Sequence, residues 1–270
     1  MVVRRAMLHV PILMYHEVAG PGDTASPLAV TPRAWSEQLA YLYDEGYRTI
    51  TAAELSAVLS GHDQLPDRTI VLTFDDGYED FHSRAMPWLD RYGFTATLFV
   101  TTGWIRDAGP LATGHRPGHM LSWTQISEAA DIGIEIAAHT CLHPQLDQLP
   151  REQVHDELYA SKAQLEDKLG SAVVGLAYPY GYSNNRVRQI ARDLSYDYAC
   201  AVDNSLIGDE PDLFALPRLT IKKSTNMKMF QRAVRGIGLQ QIYFRDRLLT
   251  KGWAIVRRTR AAMAALSNDY

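Results

Sequence analysis

Seven short apolar runs recur along the chain, at 10–15, 69–74 (TIVLTF), 95–100 (TATLFV), 134–138 (IEIAA), 172–178 (AVVGLAY), 198–202 (YACAV) and 216–221 (LPRLTI), with amphipathic helical stretches between them. Strands separated by helices must run parallel, because each helix carries the chain back to the start of the next strand. The pattern therefore demands an α/β fold with a largely parallel sheet, either a barrel or an open doubly wound sheet. The helices carry their own start and stop signals. Thr31-Pro32 supplies a cap and a first-turn proline, and Thr51…Glu54 and Ser122…Gln125 fit the reciprocal capping box. Pro150 opens a long helix that Gly170 can end, and Asn184-Asn185 opens another. No linker or internal repeat interrupts this alternation before residue 235, so one catalytic-size domain is expected over 1–235, followed by a separate tail over 236–270.

Composition narrows the class. The 270 residues are 46% hydrophobic and 21% charged, too apolar for a disordered chain. No apolar run approaches the about 18 residues that span a bilayer. A net charge of −4 argues against nucleic acid as a partner. Cys141 and Cys200 are the only cysteines and form no CxxC, which excludes a disulfide framework and a thiolate zinc cluster. Arg4 and Arg5 precede an apolar stretch from Ala6 to Tyr15, but His9 and Pro11 interrupt it and no small-x-small site follows. The better reading is a buried strand, which leaves a cytoplasmic location as the expectation.

Two regions break the alternation. Residues 103–120 hold four glycines and two prolines and read as a long loop after a strand end, of a length uncommon unless functional or disordered. From Gly238 the chain carries six Lys/Arg between 245 and 260 against one Asp. That makes a basic amphipathic helical tail, able to dock on the domain, on a partner or peripherally on the inner face of an anionic membrane.

The strongest local signal is Thr73-Phe74-Asp75-Asp76-Gly77-Tyr78, where two carboxylates arrive together at the C-terminal end of a buried strand. Active sites of parallel α/β folds form at that edge. Adjacent acids there repel each other and resist burial unless a cation compensates, and a metal ion would do so. Gly77 lets the chain turn so that both carboxylates face one cavity. A second signal, His139-Thr140-Cys141-Leu142-His143, follows the strand at 134–138. Histidines at i and i+4 share one face of a helical turn, a spacing that suits two imidazoles on one metal. His115 and His119 repeat the spacing, but Gly114, Pro117 and Gly118 forbid a helix there, so that pair reads as loop surface. Two imidazoles and one carboxylate leave open positions, as in hydrolytic zinc sites, and free the other Asp to take a proton from water. Cys141 reads as a packing residue between the two histidines.

TFDDG, then HTxxH, then Ala177-Tyr178-Pro179-Tyr180-Gly181, then Leu216-Pro217-Arg218 resembles, in order and spacing over roughly residues 10–221, the polysaccharide deacetylases of carbohydrate esterase family four. The opening Pro11-Ile-Leu-Met-Tyr-His16 resembles most the subgroup acting on poly-N-acetylglucosamine. The resemblance implies a distorted (β/α)7 barrel of NodB type, with Asp75 as general base and Asp76, His139 and His143 as ligands of a divalent metal, most readily zinc, with cobalt or nickel as alternatives. It implies removal of N-acetyl groups from N-acetylhexosamine units of a polysaccharide, oligosaccharide or lipid-linked sugar, which would be the protein's partner.

Two departures shape the expected chemistry. Ala177 stands where many members place an arginine, and no histidine follows His155 to serve as their late general acid. His16 ends the first strand and, by the resemblance, takes the acid role. The resemblance also lets Arg218 pair with Asp75, keeping it ionised and oriented. Pro179 has no N–H, so the first free amide of that loop belongs to Tyr180, placed to donate to an oxyanion. Tyr78, Trp104, Trp123 and Tyr182 sit on rim loops, where each is either a sugar-stacking ring or a packing residue. An O-acetyl esterase, a cyclic amidase of the same fold and a non-catalytic glycan-binding module are the competing readings; the complete Asp-His-His set speaks against the amidase.

Overall fold

The computed structural model describes residues 10–20, 22–23, 26–61, 65–109 and 118–248. Its strands are β1 (Ile12–Tyr15), β2 (Arg48–Ile50), β3 (Thr69–Phe74), β4 (Thr97–Val100), β5 (Glu135–Ala138), β6 (Gly175–Ala177), β7 (Tyr198–Cys200) and β8 (Leu219–Thr220). Seven of these fall in the seven apolar runs. The addition is β2, a short strand exposed at Arg48, which no apolar run announces. The helices are α1 (Pro32–Asp44), α2 (Ala52–Ser60), α3 (Met86–Tyr92), α4 (Trp123–Asp131), α5 (Arg151–Leu169), α6 (Asn185–Asp193), α7 (Met227–Val234) and α8 (Leu239–Ile242). Their ends follow the caps. Thr31 Oγ1 accepts the Ala34 N–H, and Thr51–Glu54 and Ser122–Gln125 each form the reciprocal box. Gly170, at φ 65°, ends α5, and Asn184 caps α6. A π-helical turn at Phe81–Ala85 precedes α3, an irregularity often found beside functional sites.

Every strand pairing is parallel, in the order β7-β6-β5-β4-β3-β1-β8, with β2 against the first half of β3 and β4 against its second half. The sheet returns on itself. Leu216 bridges Cys200 of β7, while Leu219 and Thr220 pair with Leu13 and Met14 of β1, so one short segment joins the two ends. The closure is a single bridge and a two-residue strand, which makes this the distorted (β/α)7 barrel that the motifs imply.

Side chains alternate with period two between two cores. Leu13, Tyr15, Leu72, Phe74, Leu98, Val100, Ile136 and Ala138 pack outward under the helices. Ile12, Val71, Phe99, Ala137, Ala177, Tyr198, Cys200 and Leu216 form a second cluster in the other row. Continuing that inner row past the strand ends reaches Asp75 on β3 and His139 on β5. One carboxylate closes the far mouth: Glu135 accepts Thr97 Oγ1 at 2.7 Å, Tyr198 Oη at 2.7 Å and the Ala53 N–H at 3.0 Å. With every partner supplied by the fold, Glu135 is a structural acid.

Arg4, Arg5 and the first part of the apolar stretch, Ala6 to His9, together with the loop at 110–117 and the tail from 249 onward, lie outside the described residues. The described start of the tail leaves α8 with Phe244 and Leu248 largely exposed after it. No helix among the described residues is long and apolar enough to cross a membrane.

Candidate active site

Asp75 leaves β3 still in sheet register, its N–H donating to the Tyr15 carbonyl at 3.0 Å. The turn comes one residue earlier than Gly77 alone would place it: Asp76 itself sits at φ 76°, with Gly77 at 86°. This left-handed residue brings the Asp76 carboxylate into the same mouth as Asp75, although strand neighbours point to opposite faces.

His139 and His143 meet by a different route from the helical turn that their spacing suggested. Residues 139–143 form an irregular bend with Thr140 at φ 67° and His143 at φ 58°. The bend, rather than a 3.6-residue period, folds His143 back beside His139, their ring centroids 4.9 Å apart. Asp76, Thr140, His143 and Tyr180 are four of the seven non-glycine residues at positive φ among those described. Such backbone costs about 1–3 kcal/mol per residue, and its concentration here marks a site whose geometry is held against local preference.

The three side chains fit a divalent metal. Asp76, His139 and His143 each offer one ligand atom, and the three atoms lie within 4.8 Å of one another. Both histidines aim Nε2 at Asp76 Oδ1, at 3.4 and 3.3 Å, yet that buried oxygen has no hydrogen-bond partner. An orphaned buried carboxylate oxygen facing two imidazoles is a donor set that fits a cation. Tautomers agree. His139 Nδ1 lies 2.8 Å from the Ala177 carbonyl, which can only accept, so Nδ1 carries the proton and Nε2 offers its lone pair. Burial, with His139 beside it, pushes His143 down to about 4, keeping it neutral. Cys141 lies outside the donor group, its Sγ against Thr102 Oγ1 and Gln164 Nε2.

Asp75 is tied to Arg218. The guanidinium, fully buried, donates from Nη1 to Oδ1 at 2.6 Å and from Nη2 to Oδ2 at 2.8 Å. It is fixed in turn by Nε to the Ala201 carbonyl and by Nη1 to Thr73 Oγ1. Burial disfavours the Asp75 anion, but Arg218 outweighs it, with His139 adding to the effect, and the carboxyl is held below its ordinary value. His16 follows β1 onto the same rim, close enough to act electrostatically on Asp75, Asp76 and His143, and its buried Nδ1 has no partner.

Tyr180 sits at φ 60°, its ring half-exposed, 4.7 Å from His143 and stacked on Tyr182. The Gly181 and Tyr182 amides turn inward on the Tyr178 and Pro179 carbonyls. That leaves the Tyr180 amide as the one in this turn without an acceptor inside it. Gly181 makes the turn possible: at φ 75°, a β-carbon there would lie 2.6 Å from Val202 Cβ and backbone N. Gly181→Ala is therefore expected to lower stability by about 1–3 kcal/mol in urea melts and to depress turnover while leaving metal content intact.

Trp104 is buried against His143, at 4.9 Å, and Tyr78 packs with Trp104 and Met120, so both serve as walls. Trp123, at the start of α4, packs against the outer core. Of the decoy pair, His119 is exposed and His115 lies outside the described residues. The motifs missed Glu157 on α5, whose carboxylate accepts two amides of the histidine bend. A glutamate in a charged helix reads as solvated surface, and no spacing rule separates it from its neighbours.

Comparison with known proteins agrees with this geometry. The family model described as polysaccharide deacetylase matches residues 62–199. YxkH of Bacillus subtilis (strain 168), a protein that carries the same family name, is 28% identical over 220 residues, 82% of this chain and 74% of its own length. The poly-beta-1,6-N-acetyl-D-glucosamine N-deacetylase of Escherichia coli (strain K12) is 23% identical over 82% of this chain, which spans only 38% of that relative's length. Among solved structures, the Streptococcus pyogenes deacetylase PplD in complex with acetate superposes with a TM-score of 0.76 at 28% identity, covering 85% of this chain and 99% of PplD.

Proposed function

Since the chain belongs to the polysaccharide deacetylase family, we propose that it hydrolyses the N-acetyl amide of N-acetylhexosamine units in a glycan, with Asp76, His139 and His143 holding one divalent metal, most readily zinc. One observation carries the reading. A three-donor group with an orphaned carboxylate oxygen shares its rim with a second carboxylate, Asp75, kept ionised by a buried arginine. The relative acting on poly-beta-1,6-N-acetyl-D-glucosamine and the acetate in PplD support the amide substrate and the acetate product.

When bound, the metal supplies Lewis acidity, polarising the scissile carbonyl and acidifying nearby water. Asp75, oriented through both oxygens by Arg218, takes a proton from the attacking water. The new carbon–oxygen bond places negative charge on the former carbonyl oxygen, and the Tyr180 N–H is positioned to donate to it. His16 gives a proton to the sugar nitrogen as the carbon–nitrogen bond breaks, and acetate and the free amine leave. Nothing in this sequence of steps requires the late histidine of other family members, because His16 already stands on the rim.

The test is metal content and acetate release in one sample, before and after chelation. We expect about one metal per chain and acetate from N-acetylglucosamine oligomers, abolished by chelator and restored by zinc, cobalt or nickel. Acetate from O-acetylated sugars alone would replace the amidase by an esterase. A protein without metal would overturn the reading.

A further inference from the structure

We propose that Glu157 is a positioning residue for the metal site, holding the bend that carries His143 in the one conformation that presents its Nε2. The inference rests on Asp76, His139 and His143 being the metal ligands, and goes beyond it to a residue that touches neither metal nor substrate.

The bend at 139–143 has little to hold it locally. It is neither helix nor strand, and Thr140 and His143 both sit at positive φ. Its order must come from outside. Glu157, part-buried near the start of α5, places Oε2 at 2.9 Å from both the Cys141 and the Leu142 N–H. Thr140 Oγ1 accepts the His143 N–H at 3.0 Å. One carboxylate thus takes two consecutive amides between the two ligand histidines, and the Thr140 hydroxyl takes the amide of the second histidine. Seven residues later on the same helix, Gln164 Nε2 lies 3.4 Å from Cys141 Sγ.

The other edge of the bend is pinned independently. The Thr102 and Gly103 amides donate to the Thr140 and Cys141 carbonyls, in the short turn that brings Trp104 against His143. The 102–104 turn therefore satisfies the bend's acceptors, while α5 satisfies its donors. Removing Glu157 unties the donor side only. Cys141 and Leu142 can then rotate their amides toward water, and His143, whose positive φ depends on that arrangement, loses its aim. His139 keeps its own hydrogen bond to Ala177 and stays.

Outer partners of this kind are worth about 10–100-fold in metal affinity. Both amides converge on a single oxygen, so glutamine retains the acceptor they share, whereas alanine removes it. The experiment measures zinc dissociation constants by chelator competition on the intact protein, alongside urea melts of the metal-free forms. Glu157→Ala is expected to bind zinc about 10–100-fold more weakly, with Glu157→Gln close to the unaltered protein. Leu158→Ala, a core truncation one residue along α5, should lower stability without moving the zinc constant. An unchanged constant in Glu157→Ala overturns the inference, as does equal weakening in Leu158→Ala, which would reduce the effect to general destabilisation. Should Glu157→Ala fail to fold, Glu157→Asp replaces it. One methylene shorter, it keeps the charge but cannot reach both amides, and full-strength binding in it overturns the proposal. Absence of zinc from the unaltered protein overturns the ligand assignment itself, a result separable from every variant comparison.

Discussion

Arg218→Met is expected to cost about 3–5 kcal/mol of folding free energy, because it leaves the Asp75 carboxylate buried without its counter-charge. The guanidinium is completely buried, so solvent cannot replace it, and Thr73 Oγ1 and the Ala201 carbonyl each lose a donor in the same step. Urea melts at neutral pH check the magnitude, and the pH dependence checks the cause. Asp75 is held below its ordinary value of 3.8. Its ion pair therefore stabilises the fold fully above that value and is lost as pH falls through the lower, folded one. In Arg218→Met, burial loses its main opponent, only His139 and His16 still favour the anion, and Asp75 moves upward. The acid limb of stability, and of any pH–rate profile, should move to higher pH. A variant with unchanged stability and unchanged acid limb would show that the pair does not hold Asp75 ionised.

Asp75→Asn should lower turnover by about 10²–10⁴-fold while metal content stays near one per chain. Asparagine keeps a carbonyl for Arg218 but cannot take a proton from water. His139→Ala is the contrasting case: it removes a ligand, and metal and turnover should fall together. The pair of variants separates base from ligand more cleanly than either alone. Retained activity in Asp75→Asn would move the base to another group on the rim.

Much of this was legible because the chain writes its fold in short-range signals. Five helix caps stand where Thr31, Thr51, Ser122, Gly170 and Asn184 place them, since each satisfies backbone groups within a few residues of itself. Period two places Asp75 and His139 inside the barrel once the strands are recognised. Other features were hidden for equally physical reasons. The i, i+4 spacing of His139 and His143 is compatible with both a helical turn and a strained bend, and only the positive φ values of Thr140 and His143 distinguish them. Arg218 reaches Asp75 across 143 residues of sequence, a contact that local patterning cannot carry; the Leu-Pro-Arg resemblance supplied it. Glu157 had no such help. Strand β2 escaped because an exposed three-residue edge needs no apolar run.

That long separation also sets a clock on synthesis. Asp75 leaves the ribosome 143 residues ahead of Arg218, an interval of roughly 7–30 s at about 5–20 residues per second. By its end the first six ring strands can assemble, but the carboxylate at the end of β3 has no guanidinium to make its burial favourable. The segment that delivers Arg218 is the same one that bridges β7 to β1. Closing the ring and giving Asp75 its counter-charge are thus one event, and a nascent chain that has not yet made that segment carries Asp75, Asp76, His139 and His143 without the cation that settles the first of them.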